Sequence, residues 1–87
     1  MLEIIKKAMR ITHSALDDDI QRNIDTALAD LARVGVEKRT ESDRLIIAAV
    51  ELYCKAQYNY ENRCDQYQRN YETLRNSLAM NGGYNAE

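Results

Sequence analysis

The chain has 87 residues, a formal net charge of −2, three glycines and no proline. A chain of this length makes a single domain. The scarcity of glycine argues against hairpin-rich β folds, which need glycine at turn positions with positive φ. The acidic balance argues against general binding to nucleic-acid backbones, which requires clustered Lys and Arg. The composition therefore predicts a small all-α domain whose helices are joined by short turns.

Neither a secretory signal nor a membrane span is predicted. Residues 1–7, MLEIIKK, contain no apolar run like the core of a signal peptide. No stretch approaches the roughly 18 apolar residues of a membrane helix, and two cysteines are too few for a secreted disulfide framework. We therefore expect synthesis in a cytoplasm. Ten alanines leave a small core, for which oligomerisation would compensate.

Two helices are predicted in the first part of the chain. The first covers residues 2–11 and is too short to be stable unless it docks on another element. The second covers about residues 15–34, with an apolar face at spacings of 4, 4, 4 and 3: Leu16, Ile20, Ile24, Leu28 and Leu31. We expect Ser14 and Asp17 to form a capping box at its start. Gly35 stands where a glycine commonly ends a helix.

A third helix follows a charged loop. Thr40 or Ser42 is the expected N-cap, and Asp43 falls in the first turn. Residues 45–50, LIIAAV, are six consecutive apolar residues. A helix that is apolar on most sides is buried on most sides, so we expect this one to be central.

The last predicted helix carries an apolar seam that should pack on the third helix: Cys64, Tyr67, Tyr71, Leu74 and Leu78. Its other face is polar: Arg63, Asp65, Gln66, Gln68, Arg69, Asn70, Glu72 and Arg75. We place the break between the last two helices at residues 59–63, although Asn59 and Asn62 are only weak breakers. Residues 1–79 would form the helical domain, and the glycine-broken residues 80–87 a flexible tail.

No residue pattern predicts catalysis, a cofactor or a metal site. His13 is the only histidine, and the consecutive acids at 17–19 suit a first helical turn better than a Ca²⁺ loop. Cys54 and Cys64 lack the Cys-x-x-Cys spacing of metal and redox sites. They are equidistant from Asn59, so a turn there would bring the thiols opposite each other. The alternative, which we favour, is two buried reduced thiols.

The tyrosines are the most informative side chains for function. All six aromatic residues are Tyr, and five lie within residues 53–71. Tyrosine is enriched at protein interfaces, and the alternative is a core with hydroxyls at its edge. Tyr67 and Tyr71 favour the core, whereas Tyr58 and Tyr60 favour an interface. The candidate interface set is Tyr53, Tyr58, Tyr60, Arg63, Tyr67, Arg69, Tyr71 and Tyr84.

Three segments carry a resemblance to a known family. Residues 48–56 read AAVELYCKA, residues 58–62 YNYEN, and residues 67–75 YQRNYETLR. Together with the order of the predicted helices, they resemble the small head–tail connector (head-completion, adaptor or DNA-packaging) proteins of tailed double-stranded DNA phages and prophages. The resemblance covers about residues 2–78, and it rests on helix order and apolar spacing rather than on a catalytic signature.

The resemblance implies a three- to four-helix bundle that is made in the host cytoplasm and assembles as a homo-oligomeric ring under the portal. At the virion head–tail junction such a ring extends the DNA channel, helps to retain packaged DNA, and docks the tail or the next completion protein. It implies a non-enzymatic adaptor without cofactors. Its partners would be further copies, portal protein, and a tail or head-completion protein, with double-stranded DNA passing through without sequence-specific binding.

A small helical DNA-binding protein of phage packaging or regulation is the alternative. Gly35 lies between the second and third helices, as in a helix-turn-helix. The third helix, however, opens with the apolar residues 45–50, which favour a core rather than groove reading. A generic helical interaction protein also remains open, and an enzyme is the least expected class.

Overall fold

The computed structural model describes residues 1–36, 43–58 and 62–80. These residues form four helices and no strand: α1 (Leu2–Ala8), α2 (Asp17–Arg33), α3 (Arg44–Gln57) and α4 (Cys64–Ala79). The predicted all-α class is confirmed. Helix α3 packs against the other three helices, most extensively against α4, which confirms its central position.

Helices α3 and α4 form an antiparallel hairpin. The Tyr53 and Tyr71 rings meet edge to face with centroids 5.3 Å apart. Two residues further along α3, the Lys55 ammonium lies 5.5 Å from the Tyr67 ring centroid. The predicted break is confirmed, since α3 ends at Gln57 and α4 begins at Cys64. Asparagine tolerates the left-handed region, and Asn62 occupies it with φ 58°. Asn59 lies outside the described residues.

All four helices contribute to one hydrophobic core. Its buried residues are Ile5, Met9, Ile20, Ile24, Ala27, Leu31, Val36, Ile46, Ala49, Val50, Cys54, Tyr71 and Leu78. The predicted face of α2 is confirmed, with Leu16 and Leu28 at its margin. The expected burial of α3 on most sides is confirmed for residues 46–56, which are all buried or half-buried. Leu45 is the exception in the apolar run, with 45% of its surface exposed.

The starts of α2 and α3 differ from the predicted caps. Leu16 is the N-cap of α2 and makes no side-chain cap hydrogen bond, so the capping box of Ser14 and Asp17 is wrong. Asp17 instead forms an ion pair with α1, in which Lys6 Nζ lies 2.7 Å from Asp17 Oδ1. At α3 the N-cap is Asp43, whose Oδ1 accepts from the backbone N–H groups of the second and third helical residues at 2.9 and 3.2 Å. Thr40 and Ser42 lie outside the described residues.

Gly35 ends α2 as predicted. Its φ of 96° is in the left-handed region that glycine adopts without steric cost. The Val36 amide donates to the Leu31 carbonyl at 2.8 Å, and the Gly35 amide donates to Ala32 at 3.0 Å. This is a Schellman motif. Val36 and Leu31, the two residues that meet across such a motif, both belong to the buried core.

Helix α1 ends in the same way without a glycine. Arg10 has φ 60°, the Ile11 amide donates to the Lys6 carbonyl at 2.9 Å, and the Arg10 amide donates to Lys7 at 3.1 Å. The chain therefore leaves the helix after Ala8, and not at Ile11 as predicted. A non-glycine residue in this conformation costs about 1–2 kcal/mol.

No helix of the described part is long and apolar enough to cross a membrane. Met80 is the C-cap of α4 and is 86% exposed. Residues 81–87, most of the predicted tail, lie outside the described residues. The division into a domain of residues 1–79 and a tail of residues 80–87 stays a prediction.

The left-handed positions Gly35 and Arg10 predict opposite effects of substitution. Gly35→Ala should lower the free energy of unfolding by about 1–2 kcal/mol, because a Cβ is forced into the left-handed region. Arg10→Gly, at the matching position of α1, should leave it unchanged or raise it by up to about 1 kcal/mol. Urea denaturation followed by circular dichroism measures both. A Gly35→Ala variant as stable as the wild type would contradict the assignment.

Candidate interaction surface

The structure distributes the predicted interface residues between core and surface. Tyr71 is only 1% exposed and belongs to the core, as its seam position suggested. Three more tyrosines of the set, Tyr53, Tyr58 and Tyr67, are half-buried, whereas Arg63 and Arg69 are exposed. Two members, Tyr60 and Tyr84, lie outside the described residues. The role of the set as an interface stays a prediction. Any contribution of Tyr71 would act through the residues it positions.

A polar cluster of Asp30, Arg33, Tyr71 and Arg75, here called the Asp30 cluster, joins α2 to α4. The Tyr71 hydroxyl donates to Asp30 Oδ2 at 2.7 Å, and Arg75 Nη1 donates to the same oxygen at 3.0 Å. Arg33 donates to Oδ1 through Nε at 3.1 Å and Nη2 at 2.8 Å. The Arg75 guanidinium also lies 5.7 Å from the Tyr71 ring centroid. Both oxygens of Asp30 are thus saturated by donors from two helices.

The Asp30 cluster shifts the ionisation of its members. Burial raises the pKa of Asp30, but the hydrogen bonds from Tyr71, Arg33 and Arg75 outweigh it and hold the pKa at about 2. Burial and the bond to Asp30 raise the pKa of Tyr71 above its usual range. Asp30 is therefore a carboxylate and Tyr71 a neutral phenol across the physiological range, which is the pairing that the hydrogen bond needs.

A second tyrosine–aspartate bond joins α2 to the end of α3. Tyr58, the C-cap of α3, donates its hydroxyl to Asp19 Oδ2 in the first turn of α2. Burial, followed by this bond, raises the pKa of Tyr58 to about 12. The first turn of α2 therefore lies beside the C-terminal end of α3, and Asp30 lies beside the second half of α4. Helices α2 and α4 run parallel, each antiparallel to α3.

Three of the five aspartates of α2 thus contact the other helices: Asp17 forms an ion pair with α1, Asp19 accepts a hydrogen bond from α3 and Asp30 from α4. From the sequence, residues 17–19 are explained as first-turn acids, and Asp30 does not stand out. A signal was available, because Asp19 and Asp30 are eleven residues apart, which is three turns of helix and puts both on one face.

The outer face of α4 is polar as predicted, with two exceptions. Gln68 is half-buried, and Arg75 belongs to the Asp30 cluster rather than to the solvated face. An open surface depression of about 580 Å³ lies at the α4 N-terminus, lined by Asn62, Arg63, Cys64, Asp65, Gln66, Arg69 and Asn70. Two arginines and three amides, opposed by the single carboxylate of Asp65, give it a hydrogen-bonding surface suited to carboxylates.

Both cysteines are thiols. Cys54 is buried, and burial followed by the charge of Glu51 raises its pKa to about 12, so it is inert. Cys64 is half-buried, and its Sγ lies 3.8 Å from Asp65 Oδ1. The favoured interpretation is thus confirmed for Cys54, while Cys64 is less buried than expected. The described residues contain no group of three or more His, Cys, Asp and Glu that could hold a metal ion.

Comparison with known families decides the relationship of this helical bundle. The model of a family described as "Phage connector protein" matches residues 1–85. The chain belongs to the phage connector protein family. The resemblance found in the sequence is confirmed, and it gives the chain a structural role at the phage head–tail junction, in association with other head or tail proteins. Searches of curated proteins and of solved structures find no match.

Removal of the Asp30 charge should destabilise this connector. Asp30→Asn leaves Arg75 and Tyr71, both largely buried, without their carboxylate, and should lower the free energy of unfolding by about 2 kcal/mol. Asp25→Asn is the matched control, because Asp25 is exposed on the same helix and accepts only from Gln21. It should change stability by less than about 0.5 kcal/mol. Equal losses in urea denaturation would contradict the role of the Asp30 cluster.

The same carboxylate predicts an acid-sensitive fold. Because the pKa of Asp30 is lowered to about 2 in the folded state, the unfolded chain binds the proton first as pH falls. Stability from this group is complete above about pH 5 and is lost between about pH 4 and pH 2, amounting to about 2 kcal/mol. Urea denaturation at several pH values measures this loss. Asp30→Asn should show a correspondingly flatter decline, and an equally steep decline would contradict the assignment.

Proposed function

We propose that this protein is a non-enzymatic adaptor of the head–tail junction. Copies of the chain form a ring beneath the portal, extend the DNA channel and dock the tail or the next completion protein. The single observation that carries this proposal is the family match across residues 1–85. The remaining support comes from the size, charge and surface of the chain.

The size of the core supports assembly. A domain of 87 residues buries a smaller fraction of its surface than a larger one and is correspondingly marginal. Apolar surface also remains uncovered, since Ile4 and Leu45 are each 45% exposed and Met80 is 86% exposed. Contacts between copies in a ring would bury more surface and stabilise the folded state by mass action.

The charge of the chain suits a DNA conduit. The net charge is −2, and exposed carboxylates stand on the outer face of α2. Proteins that hold duplex DNA do so by neutralising phosphates with Lys and Arg. A mildly acidic ring would let DNA pass without holding it. We include portal protein and a tail or completion protein among its partners on the same ground of family membership.

We place the surface that meets a further copy or another partner protein at the end of the α3–α4 hairpin where α4 begins. Arg63 and Arg69 are exposed there, and Tyr58 and Tyr67 are partly exposed. Side chains of these types are enriched in protein interfaces. We further propose that residues 80–87 act as a tail that becomes ordered on the portal or tail partner, as flexible segments do on binding.

Several contacts disfavour the DNA-binding alternative. In a helix-turn-helix, α3 would enter the major groove, but its residues Ile46, Val50 and Cys54 are buried against the rest of the bundle. Of its charged side chains, Glu51 and Lys55 pair with each other at 3.1 Å. Helix α3 therefore presents little surface for reading bases.

Sedimentation velocity of the purified full-length protein tests the proposal. We expect either rings of the protein alone or assembly on portal rings of the same phage. A strict monomer that does not bind portal rings would contradict the adaptor role. Binding to duplex DNA that weakens steeply with salt would favour the alternative.

A variant that ends at Met80 tests the tail separately. It should bind portal or tail partner more weakly while its thermal unfolding stays unchanged, since Met80 is the C-cap of the last helix. Unchanged binding would remove the tail from the proposal but leave the adaptor role in place.

A further inference from the structure

We propose that the outer faces of α2 and α4 are the two halves of one interface between copies of this chain. Asp18 and Asp25 of one copy would face Arg63 and Arg69 of the next. The inference rests on the proposed function, because it requires copies that assemble. It adds which surfaces meet and in what register.

The acidic half consists of carboxylates that the fold does not use. Asp18 is exposed and makes no hydrogen bond or ion pair within the described residues, in contrast to its neighbours Asp17 and Asp19. Asp25 is exposed and accepts only from the neutral Gln21 amide, at 3.0 Å. They are seven residues apart and share one face of α2.

The basic half consists of arginines that the fold likewise does not use. Arg22, Arg33 and Arg75 each pair with an aspartate of α2. Arg63 and Arg69 are exposed, form no ion pair in the part of the chain that the structure describes, and line the depression at the start of α4. A guanidinium presents a fork of donors that matches a carboxylate, so an aspartate is a suitable occupant.

The acidic and basic halves lie at matching positions along the helix axes, here called heights. The bond between Asp30 and Arg75 fixes the height of α2 relative to the parallel α4. Asp18 precedes Asp30 by twelve residues, and Arg63 likewise precedes Arg75 by twelve. Asp25 precedes Asp30 by five residues, and Arg69 precedes Arg75 by six. At 1.5 Å per residue, the two acids are about 10.5 Å apart along α2 and the two arginines about 9 Å apart along α4.

The two halves also face in different directions. Residues advance by about 100° around a helix. Asp18 and Asp25 therefore lie about 120° and 140° around α2 from Asp30, which faces α4, and on the same side of it. Arg63 and Arg69 lie about 120° to either side of Arg75, which faces α2, so together they flank the side of α4 opposite α2. The acidic and basic faces thus point away from each other on one molecule. Contact between them is heterologous, and such contacts form a ring when the rotation from copy to copy closes.

A ring axis parallel to the helices preserves these heights. Rotation about such an axis does not move a residue along it, so the acidic side of each copy meets the basic side of the next with Asp18 level with Arg63 and Asp25 level with Arg69. Exposed ion pairs contribute little affinity individually. Their expected role is to set the register and to exclude other orientations.

Charge exchange tests the pairing in the full-length protein. Arg63→Asp/Arg69→Asp should weaken assembly, alone or on portal rings, at least about tenfold at low salt, because carboxylates then face carboxylates. Adding Asp18→Arg/Asp25→Arg to the same chain restores opposite charges and should recover assembly to within about threefold of the wild type. Sedimentation velocity at low and high salt measures both.

The control is Arg10→Asp/Arg44→Asp, which changes the net charge equally at two exposed arginines outside the proposed interface. Circular dichroism checks folding. Aspartate is favoured at the α4 N-cap, where Arg63 stands, whereas arginine at position 18 opposes the helix dipole. Should the fourfold variant unfold, the smaller exchange of Asp25→Arg with Arg69→Asp gives the same comparison.

The outcomes separate this inference from the adaptor role. A wild-type protein that remains monomeric with and without portal overturns both. If the wild type assembles and the double arginine variant assembles as well as the control, the interface is overturned while the ring stands. Loss of assembly that the exchange does not recover overturns the direct pairing. Loss with recovery supports it.

Discussion

The bond network of Asp30 is the interaction on which the arrangement of the helices depends. Helices α2 and α4 both pack on α3, and apolar packing alone fixes relative height weakly because it is not directional. The hydrogen bonds of Asp30 are directional. Arg33, Tyr71 and Arg75 donate to its two carboxylate oxygens and so fix where α4 lies along α2. Because Tyr71 is also a core residue, the same side chain couples the polar contact to the packing. This contact therefore also sets the position of the outer face of α2 relative to the outer face of α4 along the helix axes.

This arrangement connects the fold to membership of the phage connector family. A small bundle has a small core, and polar contacts on both flanks of the buried face of α2 add to it: Asp17 pairs with α1, and Asp19 and Asp30 bond to α3 and α4. The opposite side of α2 remains free for contacts outside the molecule. A protein that works as a repeated structural unit requires such a division between a face that holds the fold and a face that meets a neighbour.

The elements predicted correctly are those controlled by local sequence. The apolar spacing of α2, the second half of the α4 seam (Tyr71, Leu74 and Leu78) and the left-handed Gly35 are properties of short segments, and each is confirmed. The errors lie where a distant group competes. The capping box failed because Asp17 lies beside Lys6 of α1, and Arg75 was assigned to solvent because its acceptor is 45 residues away. No short-range pattern in the sequence indicates a partner that lies so far away along the chain.

The sequence by itself determined the helical class and most of the buried faces, because glycine and proline content and apolar periodicity act within a few turns of chain. The structure decided that the last two helices are separate. Only the tertiary structure decided what the polar residues do. Asp25 and Asp30 look similar in the sequence, but Asp25 is exposed whereas Asp30 accepts a hydrogen bond from α4. The difference is about 140° of rotation on one helix, and it has meaning only once the neighbouring helices are in place.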